Sequence, residues 1–316
     1  MTHLLALLLL VLPLTAAAKG SPEEVRAAAQ DIVAGKGVSA ALSRLDFLGA
    51  GGQACDLLVP HALGGETKVR RNVAEAFARF AERRHLEALL ALVQDPDVSL
   101  RVAAAKGLGH AKLDHPGLQG LLQDKASGVR REAARALGGL KSPAAGKAVL
   151  DAADVEAEPE VREVMLLAAA TAPFPGLVGR LERALGHLSE STRTAAAHAL
   201  CQLGAPSGLA VAKEKLGSQS RYDRRDGVMM LEGVPLKAAG PLLAPLLQVP
   251  VQDMALSAPA ARVLAQAGDR GALEWLVVQA NDARGAAAGP LLDALEALKV
   301  TDEDRQRILR GKLILP

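Results

Sequence analysis

Six arginines recur through the middle of the sequence at nearly constant spacing. Their guanidinium groups could bind a polyanion, or each could hydrogen-bond carbonyls or the acidic residues between neighbouring units. Because they stay in register with a sequence repeat, we predict the second role, a structural ladder. We call them the ladder arginines: Arg70, Arg101, Arg130, Arg162, Arg193 and Arg224, with spacings of 31, 29, 32, 31 and 31 residues.

Two smaller groups have residue types that could do chemistry. His110, Asp114 and His115 share one turn and are metal ligands in type, but no full ligand set is evident, so we predict a polar connecting turn. His198 and Cys201 are three residues apart on one helical stretch. They could form an activated thiol, but Cys is commonly a small buried apolar residue, and we predict a core position.

The common catalytic motifs are missing from the sequence. It contains no His-Glu-x-x-His, no paired-cysteine motif and no Gly-x-Ser-x-Gly nucleophile elbow, and Gly107-Leu-Gly109 is interpreted as a helix end, not a phosphate loop. We therefore expect no metal, no cofactor and no catalytic site.

The elements that carry these residues are helical. The 316 residues include 62 Ala and 54 Leu but only 1 Trp, 1 Tyr and 4 Phe, a balance that favours helices over strands. Charged residues make up 23% and the net charge is +2, which is typical neither of a disordered chain nor of a nucleic-acid-binding protein.

Each repeat unit contains two helical stretches separated by a proline or another breaker. The first stretch carries the ladder arginine and then apolar residues at helical spacing, such as Ala133, Ala136, Leu137 and Leu140. Such a hairpin buries its apolar face only against its neighbours, so we predict an all-α protein, an α-solenoid of about eight stacked antiparallel hairpins. Four units separate Cys55 from Cys201, too far for a disulfide.

The segment Val129–Gly138, with the pattern Val-Arg-x-x-Ala-Ala-x-Ala-Leu-Gly, resembles the first helix of HEAT-like repeats. The similarity extends over about residues 53–300 and is to the short repeats of phycobilin lyases and deoxyhypusine hydroxylase. It implies the solenoid fold. In the hydroxylase, His-Glu pairs hold two irons. No His-Glu dipeptide occurs in this sequence, and the places that match those pairs are Asn72-Val73, Arg131-Glu132, Glu163-Val164 and Thr194-Ala195. That activity is excluded.

The ends of the chain differ from the repeat. The apolar run Leu4–Leu14 followed by Ala16–Ala18 indicates a signal peptide, cleaved after Ala18, and export to a bacterial periplasm or beyond; the alternative is an unprocessed first helix. We predict a signal peptide over 1–18, capping helices over 19–52, the repeat array over 53–300 and a capping helix over 301–316. Near the end of the array, Ser257 stands in the place of a ladder arginine and Pro259 is expected to restrict the helix start.

These features predict an exported, non-catalytic scaffold or adaptor, a monomer that binds a protein or peptide on its concave face, without nucleic acid or a membrane span. Trp275 is either an exposed anchor or packed over the C-terminal cap. The alternative function is a lyase-like or cofactor-handling accessory enzyme. The predicted partner contacts all lie on second helices: Lys147, Arg180, Lys213 and Trp275.

Overall fold

The computed structural model describes residues 20–248 and 253–310, and these residues form 19 α-helices and no β-strand. The prediction of an all-α protein of stacked hairpins is confirmed. The helices fall into two compact units, and the division in sequence lies between Leu121 and Leu122. The proposed signal peptide lies outside the described residues.

The first unit contains seven helices. Ser21 caps the first of them through a capping box with Glu24, as the sequence predicts. Short 3₁₀ turns at Arg83–His85 and Leu121–Gln123 adjoin the second helices of two hairpins. The helices are α1 (Pro22–Ala34), α2 (Val38–Leu48), α3 (Gly51–Leu63), α4 (Thr67–Phe80), α5 (Leu86–Val93), α6 (Val98–His110) and α7 (Pro116–Gly120).

The second unit continues the same alternation of first and second helices. Its helices are α8 (Ser127–Gly139), α9 (Pro143–Val155), α10 (Pro159–Ala170), α11 (Leu177–Ala184), α12 (Glu190–Gln202), α13 (Pro206–Leu216), α14 (Arg221–Met230), α15 (Leu236–Leu243), α16 (Met254–Gln266), α17 (Arg270–Asp282), α18 (Ala288–Ala297) and α19 (Asp302–Leu309). Among the described residues, first and second helices alternate from α4 to α17, and α19 packs on α17.

Within each unit, first helices pack on the first helices of the next hairpin. The pairs α4 and α6, α8 and α10, and α10 and α12 are in extensive contact. Small residues let these helices approach closely. A Cβ added to Gly107 on α6 would collide with the Leu89 side chain and the Phe77 carbonyl oxygen. The scarcity of aromatic residues therefore follows from thin, closely packed layers.

The prediction for Pro259 is wrong. Helix α16 begins at Met254, so Pro259 lies inside the helix instead of setting its start. Ser257 is the fourth residue of α16, the position that a ladder arginine occupies in earlier first helices. It is buried, and its hydroxyl donates to the Leu246 carbonyl at 2.6 Å. A short side chain thus makes a backbone contact where the other repeats use a guanidinium group.

At the carboxyl end, Thr301 caps α19 through a capping box with Asp304. The last part of the capping helix proposed over 301–316, from residue 311 onward, lies outside the described residues. None of the helices that the structure describes has the length and apolar character needed to cross a bilayer.

Candidate functional site

The ladder arginines share one structural position, because each is the fourth residue of its first helix. In five of the six the guanidinium group reaches back to the loop that precedes the helix, whereas Arg70 donates to Ala62 within α3. Arg101 donates to the carbonyls of Asp95 at 2.8 Å and Pro96 at 3.1 Å. Arg130, Arg193 and Arg224 repeat this pair of bonds, to the carbonyls six and five residues before each arginine.

The residue six places before the arginine has a second function in these loops. Its side chain accepts a hydrogen bond from the backbone N–H two residues later, as Asp95 does from Asp97 at 2.8 Å. We call this the acceptor position: Asp95, Asp124, Glu156, His187 and Ser218. Acidic residues between units are visible in the sequence, but they do not by themselves reveal this position; its fixed distance of six residues from each ladder arginine is the signal that could identify it.

At two acceptor positions a buried carboxylate joins consecutive hairpins of one unit. Asp95 forms an ion pair with Arg70, which also donates to the Ala62 carbonyl at 3.2 Å. Glu156 accepts two bonds from Arg130, at 2.7 and 2.9 Å. The Arg130 guanidinium holds the pKa of Glu156 below its usual range.

The side chain at the acceptor position changes farther along the second unit. The acceptor position that follows Arg70 is Asp95, and the one that follows Arg130 is Glu156. The corresponding residue after Arg162 is His187, and after Arg193 it is Ser218. Arg162 bonds the Thr192 hydroxyl at 3.3 Å instead. Arg224 has a carboxylate at a longer distance, Asp253 at 3.6 Å.

Two of the proposed contact residues are joined by one carboxylate. Lys147 on α9 donates to Asp151 at 2.7 Å, and Arg180 on α11 donates to the other oxygen of Asp151 at 2.6 Å. Arg180 also forms an ion pair with Asp154. Lys147 and then Arg180 hold the pKa of Asp151 below its usual range. The second helices α9 and α11 are therefore tied together on their exposed surface.

Apolar side chains stand exposed on the same two helices. Val155 ends α9 and is 82% exposed, and Val178 near the start of α11 is 40% exposed. We use the name α9–α11 face for the ion-paired residues and exposed valines of these two helices: Lys147, Asp151, Asp154, Val155, Val178 and Arg180.

The other two proposed contacts lie apart from this network. Lys213 is exposed on α13, a helix connected to α11 by a hydrogen bond from Ser207 to Glu182 at 2.9 Å. Trp275 is half-buried on α17 and packs against the apolar core of the second unit. Its indole Nε1 is enclosed and has no hydrogen-bond partner among the described residues. This placement favours a packing role over that of an exposed anchor.

The two cysteines are buried free thiols. Burial raises the pKa of each thiol to about 12. His198, three residues before Cys201 on α12, is half-buried, and desolvation lowers the pKa of its imidazole. A thiol with such a pKa stays protonated at neutral pH. Burial and protonation are those of a core cysteine and not of an activated nucleophile.

The histidine turn is organised by its own hydrogen bonds. His115 Nδ1 accepts from the Gly117 amide at 3.0 Å and caps α7, while Asp114 accepts from Gln119 at 2.8 Å. Over the described part of the chain, no group of three or more His, Cys, Asp or Glu side chains is placed to hold a metal ion.

Two surface pockets lie in the second unit. One, of about 340 Å³, lies among α12, α13 and the start of α14, and Arg193 and Lys215 line it. The other, of about 510 Å³, lies along α14, α16 and α18, and is lined by Arg225, Pro259 and Asp293 among others.

Comparison with known proteins identifies the repeats. Residues 56–117 and 114–170 match the family model described as HEAT repeats. No curated protein matches the chain. Among solved structures, the CpcE–CpcF complex of phycocyanin lyase from Nostoc sp. PCC7120 is similar at 20% identity and a TM-score of 0.50, over 77% of this chain and 94% of that chain.

Two further structures are similar over comparable lengths. The Escherichia coli protein YibA has 16% identity and a TM-score of 0.43, over 80% of this chain and 96% of that chain. Human deoxyhypusine hydroxylase in complex with glycerol has 22% identity and a TM-score of 0.33, over 79% of this chain and 97% of that chain. The lyase similarity, at its low identity, shows a shared helical-repeat fold and nothing about activity.

Proposed function

We propose that this chain, whose residues 56–170 match HEAT repeats, is a non-catalytic scaffold or adaptor that binds a protein or peptide partner through its second helices. The observation that carries this proposal is the α9–α11 face. Its charged side chains are already held in place by one another, and the same two helices carry two exposed valines.

This combination suits a protein partner for a physical reason. Side chains that are ordered before binding lose less conformational entropy when the complex forms. Exposed apolar groups bordered by polar ones also match the composition of protein interfaces, where an apolar centre is surrounded by a polar rim. One structural neighbour, the phycocyanin lyase CpcE–CpcF, is itself a complex of two proteins, which agrees with this use of the fold.

The test begins by crosslinking the tagged protein in its native cells and identifying the partner by mass spectrometry. The affinity of the purified partner is then measured for Val155→Glu and Val178→Glu variants. Both valines are exposed, so the fold should tolerate the changes, and we expect at least about tenfold weaker binding, equivalent to about 1.4 kcal/mol. Val98→Glu, at an exposed valine on the first helix α6, is the matched control. Unchanged affinity in both α9–α11 variants would refute the proposed surface.

We also propose that the chain is exported, from the signal-peptide pattern in its sequence. The intact mass of the protein isolated from a bacterial host decides this. A mature chain beginning at Lys19, recovered from the periplasm or medium, supports export, and an uncleaved cytoplasmic chain contradicts it.

The proposed non-catalytic role has its own test, set against the alternative of a lyase-like or cofactor-handling accessory enzyme. The protein is purified without chelators, its metal content is measured and its visible absorbance is recorded. The scaffold proposal expects neither a stoichiometric metal nor a chromophore. Either one would replace it with the accessory-enzyme alternative.

A further inference from the structure

One ladder arginine lacks the side-chain partner that its counterparts have. Arg70 is paired with Asp95, Arg130 with Glu156 and Arg224 with Asp253. Arg193 donates from Nη1 to the carbonyls of His187 and Leu188, and within the described residues no side chain accepts a bond from its guanidinium group. The next acceptor position, where a carboxylate is expected, is Ser218.

The pocket of about 340 Å³ among α12, α13 and α14 lies at the position where this carboxylate is missing. Arg193, Thr194 and Ser218 line this pocket together. In the repeat of Arg130 the corresponding space is filled by the Glu156 side chain, which takes two guanidinium hydrogen bonds. A partly exposed guanidinium group with its planar donors unpaired favours a carboxylate, because the two groups match in charge and geometry.

The remaining charges of the pocket restrict the ligand further. Asp223 is occupied, since it accepts from Ser218 at 2.9 Å and from Lys215 at 3.3 Å. Glu190 and Glu214 also line the pocket and carry negative charge. A dianion would be repelled by these two side chains, whereas a ligand that places a cation beside its carboxylate would satisfy them as well as Arg193.

We propose that this pocket is a binding site for a carboxylate with a neighbouring ammonium group. Such a group comes from a free amino acid, or from an acidic residue next to a lysine in a peptide. The site lies on α12 to α14, away from the residues of the α9–α11 face, and does not depend on the proposed scaffold function.

The test is a titration of the full-length protein with three probes, followed by the backbone amide NMR signals of Thr194 and Ser218. The probes are glutamate, the blocked dipeptide N-acetyl-Glu-Lys-amide, and glutarate, which has two carboxylates and no cation. We expect saturable shifts with glutamate or with the dipeptide, and at least tenfold weaker binding of glutarate. The tighter of the first two identifies the source of the carboxylate. The absence of saturable shifts with both overturns the proposal, as does glutarate binding equally well.

Two variants of nearly equal shape separate the site from a general effect on folding. Ser218→Asp supplies the missing carboxylate within the chain, and Ser218→Asn is its neutral control. Both lose the hydroxyl that Asp223 accepts from, so they differ only in the negative charge placed at position 218. We expect the Asp variant to lose probe binding at least tenfold while the Asn variant retains it, and an Asp variant that still binds contradicts the site.

A second measurement needs no ligand. If the Asp side chain reaches Arg193, adding Arg193→Gln lowers the melting temperature of Ser218→Asp more than that of Ser218→Asn, because the new carboxylate then keeps only its repulsion from Asp223. A difference between the Asp and Asn variants that is the same with and without Arg193→Gln would show that the carboxylate does not reach Arg193, and would overturn the proposal.

Discussion

Arg130 and Glu156 provide the most direct test of how consecutive repeats are held together. The Glu156 side chain is 4% exposed and that of Arg130 is 14% exposed, and two hydrogen bonds join them. Arg130 also donates to the carbonyls of Asp124 and Lys125. Replacing Arg130 with Met keeps the apolar stem but leaves a buried carboxylate without its counter-charge. Removing one partner of a buried ion pair costs about 3–5 kcal/mol, so we expect a loss of that size in the free energy of unfolding.

Glu156→Gln removes the charge but keeps an oxygen that can accept from the Glu158 amide, the bond that Glu156 makes at 2.9 Å. We expect it to cost about 1.5–3 kcal/mol, the usual contribution of a hydrogen bond to a charged group. Combining Glu156→Gln with Arg130→Met removes the unpaired buried charge. The double variant should therefore be more stable than Arg130→Met alone.

The pH dependence of Glu156 has a defined sign. Its pKa in the folded protein lies below the ordinary value of 4.5, because Arg130 stabilises the charged form. The unfolded chain therefore binds the proton more readily than the folded protein. The contribution of the Glu156 charge to the free energy of unfolding is complete above about pH 4.5 and is lost as the pH falls through the folded-state pKa. The difference in stability between the wild type and Glu156→Gln should narrow over that range.

The assay is urea unfolding followed by circular dichroism, with Arg131→Met as control. Arg131 is the exposed neighbour of Arg130 on the same helix, and its replacement should change the free energy of unfolding by no more than about 0.5 kcal/mol. If Arg130→Met is no more destabilising than this control, the ion pair does not stabilise the stacking of these repeats.

Three further predictions concern single positions. Lys141 has a left-handed backbone with φ of 54°, so Lys141→Gly should raise the free energy of unfolding by about 0.5–1 kcal/mol in urea titrations, and a decrease would contradict the inferred strain. Gly146→Ala should destabilise by about 1–3 kcal/mol in the same assay, because the new Cβ meets a backbone carbonyl, whereas Gly179→Ala has open space and should not destabilise. Cys55 and Cys201, with pKa values raised to about 12, should react with a thiol reagent at pH 8 far more slowly in the native protein than in urea, and equal rates would argue against their burial.

The sequence alone determined the fold class and the register of the repeats. The spacing of the ladder arginines, with apolar residues at helical spacing after each one, placed all six on first helices, and each proved to be the fourth residue of its helix. These features repeat along the chain and depend on local helix geometry, so they can be read without knowing what packs against what. Pro259 was misplaced because proline is tolerated inside a helix when packing compensates, which no local rule reveals.

Which charged groups meet depends on contacts between hairpins that the sequence does not show. Arg130 reaches Glu156 across 26 residues, and Asp151 joins Lys147 on one helix to Arg180 on another. Both contacts depend on how one hairpin stacks on the next. The same holds for the pocket at Arg193, because a serine in the next loop is unremarkable in sequence. Ser218 indicates a binding site only because stacking places it where another repeat has a carboxylate. The Arg193 guanidinium group is then left with unpaired donors.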